Sequence, residues 1–73
     1  MPPVPAMSGR DVVKTFQSLG WHVARQSGSH IAMEKAGQVA TRSVPDRREV
    51  RKGTLRGLIR AANLTVAEFI AAT

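Results

Sequence analysis

The chain has no cysteine and no tyrosine, one tryptophan, two phenylalanines and only five acidic residues among 73. Without cysteine there is no disulfide framework, no thiolate zinc site and no thiol nucleophile, which fits a reducing compartment. Three aromatic rings, all needed for a core, leave no platform on which bases of a single strand could stack. The longest apolar runs are a few residues, far short of a membrane span. The opening segment, Met1–Met7, lacks the charged and apolar regions of a signal peptide. These absences lead us to expect a soluble cytoplasmic protein.

What is present suffices for one small domain. Hydrophobic residues make up 42% of the chain, too many for a disordered tail. A domain of this size buries only about 60% of the surface its unfolded chain exposes, so its core must be built from few residues. Eleven basic residues give a net charge of +6. Seven of them (Arg42, Arg47, Arg48, Arg51, Lys52, Arg56 and Arg60) fall between positions 42 and 60, where only Asp46 and Glu49 oppose them. One basic segment on a compact chain suggests a polyanionic partner, most often nucleic acid, read through its backbone and shape. An acidic protein partner or a solvated basic surface would account for the same charge.

Residues 1–7 hold three of the four prolines and no charged side chain. They read as an unstructured leader, with Met7 as an alternative start, and residues 8–73 as a single domain. Ser8 and Asp11 have capping-box spacing, Val12, Val13, Phe16 and Leu19 follow at helical intervals, and Gly20 is a stop, so a helix is predicted over 9–19. Three extended runs, 21–26, 30–35 and 39–44, are separated by turn residues and closed by Pro45. A three-residue loop, 27–29, pairs Gln26 with His30 and Val23 with Met33. It puts Trp21, Val23, Ile31 and Met33 on one face, and His22, Ala24, His30, Ala32 and Glu34 on the other. Thr54 is the expected cap of a second helix with Leu55, Leu58, Ile59 and Ala62 as its stripe. Gly57 inside it suggests close packing against the sheet. Asn63 is placed for a left-handed cap, and Thr65 and Glu68 form a second capping box before a short last helix. The expected fold is a two-layer α+β domain, helix, three-stranded antiparallel sheet, helix and short helix, with the helices on one sheet face.

The chain has no phosphate-binding glycine loop, no paired carboxylates and no metal-ligand set, since two histidines eight residues apart without cysteine do not hold zinc. One chemistry needs little more than what remains. RNA carries its own nucleophile, the 2′-hydroxyl, beside the scissile phosphate. The protein must supply a base that titrates near neutrality and cations for the transition state. His30, which follows Gly28 and Ser29 at a strand start, is the candidate base. His22, on the same open face near Glu34, is either a second proton donor or an ordinary surface residue.

An ordered set of motifs resembles the HicA-type toxins, small mRNA interferases of bacterial type II toxin–antitoxin systems. These are Gly20-Trp21, Arg25-Gln26-Ser27-Gly28-Ser29-His30, Val44-Pro45, Lys52-Gly53-Thr54-Leu55-Arg56 and Ala62-Asn63-Leu64-Thr65-Val66-Ala67-Glu68-Phe69. The resemblance covers about residues 8–71. It implies a double-stranded-RNA-binding-domain-like fold and cofactor-free, metal-independent cleavage of mRNA, with the catalytic histidine falling on His30. It also implies a HicB-type antitoxin that covers the active site, with operator DNA contacted only indirectly through the antitoxin complex. Two positions depart from the common pattern: Ile31 stands where many members have a second histidine, and Arg47 where many have a histidine after the Val-Pro pair.

Two functions follow as expectations. In the first the chain is a toxin endoribonuclease with His30 as general base and acid, and with Gly28, Ser29, Arg25, Arg47, Arg48, Lys52 and Arg56 binding RNA. In the second it is a non-catalytic RNA- or DNA-binding module, a degenerate toxin or a component of an autorepressing complex.

Overall fold

The computed structural model describes residues 3–38 and 42–73. The elements run α1 (Gly9–Ser18), β1 (His22–Ser27), β2 (His30–Glu34), β3 (Arg42–Pro45), α2 (Lys52–Ala61) and α3 (Val66–Ala71). The strands form one antiparallel sheet with β2 in the middle. α1 packs on β1 and β3, α2 on β3, and α3 on α2. The buried strand residues Ile31, Met33 and Val44 share one sheet face, so the helices cover that face and leave the other open. This is the α+β order of a double-stranded-RNA-binding-domain-like fold. The expected third strand began at residue 39; residues 39–41 lie outside the described ones, and the described part starts at Arg42.

Local chemistry sets the helix ends. Ser8 Oγ accepts from Asp11 N at 3.1 Å to start α1; among the described residues the return bond from the Asp11 side chain does not form. Gly20, at φ 97°, ends α1 in a Schellman motif: Trp21 N donates to Phe16 O and Gly20 N to Gln17 O. The same motif brings the Trp21 ring edge-on to Phe16, centroids 5.9 Å apart. Asn63, at φ 61°, repeats it after α2, with Leu64 N donating to Ile59 O. At α3 both halves of the Thr65–Glu68 capping box are made, at 2.9 and 3.1 Å. Phe69 then stacks edge-on against Phe16 at 5.2 Å, which ties the last helix to the first.

The structure corrects several expectations. The turn between β1 and β2 has two residues, Gly28 and Ser29, and pairs Ser27 with His30 rather than Gln26 with His30. The expected Val23–Met33 pair does form, because a bulge at Ala24 absorbs the difference of one residue. Val23 nonetheless stays 41% exposed, on a strand at the sheet edge. Thr54 does not cap α2. The helix begins three residues earlier, with Arg51 at the cap position, so that Leu55 N reaches Arg51 O and Leu55 is buried a full turn inside. Gly57 does not pack on the sheet; a Cβ there would meet nothing within 4 Å. The leader has no helix or strand among its described residues, yet it is not detached. Val4 is 2% exposed within the core, and Met7 O accepts from Val50 N at 2.8 Å. In so small a domain a leader valine supplies core volume that the helices and strands lack.

Candidate active site

His30 opens β2, opposite Pro45 of β3 and Ser27 of β1, with its side chain exposed on the open sheet face. It makes no hydrogen bond or ion pair among the described residues, so both ring nitrogens are available to a ligand. Beside it lies an open cleft of about 410 Å³ lined by His30, Ser43, Pro45, Arg47, Arg51 and Thr54. Ser43 reaches it from β3, Arg47 from the loop after β3, and Arg51 and Thr54 from the start of α2. Arg47 and Arg51 are exposed and form no ion pair among the described residues. Arg51 caps α2 without a side-chain hydrogen bond, so the first-turn N–H groups at the cleft wall have no capping acceptor. They add the positive end of the helix dipole to the two guanidiniums.

The cleft wall is held by a hub at Asp46. Its N–H donates to Ser29 O at 2.7 Å, and its carboxylate accepts from Gln26 Nε2 at 3.3 Å and pairs with Arg10 at 3.5 Å. The β1–β2 turn is thereby tied to the loop that carries Arg47. Gly9 N donates to Arg47 O at 2.8 Å, and a Cβ at Gly9 would run into the Pro45 carbonyl oxygen. Glycine at the first turn of α1 is what lets helix and loop approach this closely. Asp46 pairs with Arg10 and Gln26 and forms no ion pair with Arg47 or Arg51 among the described residues.

The sequence-derived residues separate in space. His30 and Arg47 meet in the cleft. Ser29 and Gly28 form the turn before His30, with Gly28 at φ 58° and open on its Cα side. Arg25 stands opposite Ala32, on His30's face and diagonal to it, at about 7 Å in regular sheet geometry. The Ala24 bulge is what turns it outward; in uninterrupted alternation Arg25 would point with Val23 toward the helices. Arg48 and Lys52 are exposed and do not line the cleft, and Arg56 lines a different groove. Arg42 donates to Ala61 O at 2.7 Å, at the C-terminal end of α2. His22 pairs with Glu34 at 3.8 Å, about 13 Å along the sheet from His30 at strand spacing. Ser43, Arg51 and Thr54 were not singled out from sequence as site residues. Arg51 was counted in the basic segment, but no local pattern aims it at the histidine.

A family model described as the HicA toxin of bacterial toxin–antitoxin systems matches residues 9–64, more than half the chain. Comparison with curated proteins and with solved structures returns no match.

Proposed function

The chain belongs to the HicA toxin family of bacterial toxin–antitoxin systems, and from that membership and the cleft we propose that it is a metal-independent endoribonuclease acting on mRNA in the cytoplasm. The observation that carries the reading is His30, exposed and without a hydrogen bond or ion pair among the described residues, on the wall of a cleft that also holds Arg47 and Arg51. His30 takes the proton of a ribose 2′-hydroxyl as the oxygen attacks the adjacent phosphorus. Arg47 and Arg51 stabilise the extra negative charge on the phosphoryl oxygens, where Arg can bind in a two-pronged way. The leaving 5′-oxygen takes a proton from protonated His30 or from water, and the products carry a 2′,3′-cyclic phosphate and a 5′-hydroxyl. Ser43 and Thr54 offer hydroxyls to the same phosphate or sugar. Arg25 and the Gly28-Ser29 turn extend the contact along the open face.

A HicB-type antitoxin neutralises the toxin in this reading by covering the cleft. The test is an RNA cleaved in EDTA beside the same sequence with 2′-O-methyl groups throughout. Cleavage of the first only is expected. Equal cleavage of both would exclude the 2′-hydroxyl as nucleophile. Binding of both without cleavage of either would favour the non-catalytic module.

A further inference from the structure

Away from the cleft, α2, α3 and the turn between them enclose a second open groove of about 400 Å³ that shares no lining residue with the first. Its floor is apolar: Ile59 and Val66 are buried and Leu64 half-buried. Its rim is basic: Arg56 and Arg60 stand one helical turn apart on the same side of α2, both exposed. Neither side chain forms an ion pair or hydrogen bond among the described residues. The one acid in these two helices, Glu68, is engaged in the capping box with Thr65. Gly57 leaves the helix surface beside the arginines bare, so another backbone can approach.

We propose that this groove docks an acidic amphipathic segment of the antitoxin. Apolar side chains of the segment sit over Ile59, Leu64 and Val66, and its carboxylates face Arg56 and Arg60. A nucleic acid backbone would satisfy the arginines and leave the apolar floor uncovered; a segment carrying both chemistries satisfies both. A groove of this size takes only a few side chains. It is therefore an anchor within a larger interface, which needs about 800 Å² from each partner. The anchor lies apart from the His30 cleft, so the antitoxin holds the toxin at a place that RNA does not occupy. The inference rests on the toxin–antitoxin reading and is independent of the cleavage chemistry.

The experiment measures the affinity of the cognate antitoxin, obtained from its complex with this chain, for the full-length parent and for Arg60→Glu and Ala67→Trp. The first variant reverses a rim charge, and the second fills the groove from an exposed position of α3. Unfolding curves matching the parent's establish that each variant is folded. Each substitution is expected to weaken antitoxin binding tenfold or more while the free chain cleaves RNA at the parent rate. Antitoxin affinity within twofold of the parent in both variants overturns the proposal. So does a loss of RNA affinity with antitoxin affinity intact, which would make the groove an RNA contact. If the parent itself does not cleave but the variants still lose the antitoxin, the ribonuclease reading fails and the docking site stands.

Discussion

At the residue scale the proposed reaction divides its labour among the cleft residues. His30 offers an exposed imidazole that makes no hydrogen bond or ion pair among the described residues, so its ring nitrogens are open to a substrate proton. Arg47 and Arg51 converge on the cleft from the loop and from the helix start, and each offers a planar fork of donors to a phosphate. Arg51→Ala is expected to slow single-turnover cleavage by about 10- to 100-fold, the equivalent of losing one hydrogen bond to a charged group. Arg51→Lys should recover part of that loss, because it keeps the charge and loses the fork. An unchanged rate in Arg51→Ala would remove it from the cleft chemistry. His30 and Arg47, both singled out in the sequence, line one cleft, the first after Gly28-Ser29 and the second after Val44-Pro45. Ser43, Arg51 and Thr54 were not singled out, because they reach the cleft from separate elements and only the packing of α2 on β3 brings them together.

At the element scale the legible parts were those written in local backbone chemistry. Gly20 and Asn63 at helix ends, and Thr65 with Glu68 at a helix start, act within a few residues of themselves, and each does what its spacing implies. The β1–β2 register was legible at Val23–Met33 and lost nearer the turn. The Ala24 bulge puts Arg25 on the open face and leaves Gln26 within reach of Asp46. Neither placement is visible in alternation alone. The start of α2 was misread because Thr54 is a good cap by type, while burial of Leu55 requires the helix to begin a turn earlier.

Two measurements follow at this scale. Gly57→Ala, on an open helix surface, is expected to stabilise the fold by about 1 kcal/mol in urea titration. The Glu68 carboxyl is held below the ordinary glutamate range, chiefly by the Thr65 backbone N–H and also by the Thr65 hydroxyl. Its contribution to stability is therefore whole above the unfolded-state value and is lost as pH falls through the lower folded one. Glu68→Gln, which can keep the cap without titrating, should flatten that acid limb of stability against pH.

At the scale of the whole molecule, a 73-residue chain with three aromatics builds a core that draws on the leader, all three helices, β2 and β3. Val4 is as buried as most helix and strand residues of the core, and Val4→Ala should lower unfolding stability by about 1.5 to 2 kcal/mol. A loss near zero would mean that the leader adds nothing to the fold. The same sheet that organises this core keeps one face open, and on its edge the chain gathers a histidine and two arginines, with no acid among the described residues paired to either arginine.

The central claim is that His30 does the chemistry of that cleft. It is tested most directly by single-turnover cleavage of one long single-stranded RNA, in EDTA, by the parent and by a folded His30→Ala variant. The account predicts a 100- to 10,000-fold slower reaction in the variant, the range for losing a general base, with RNA affinity nearly unchanged. Cleavage at the parent rate by His30→Ala would contradict it.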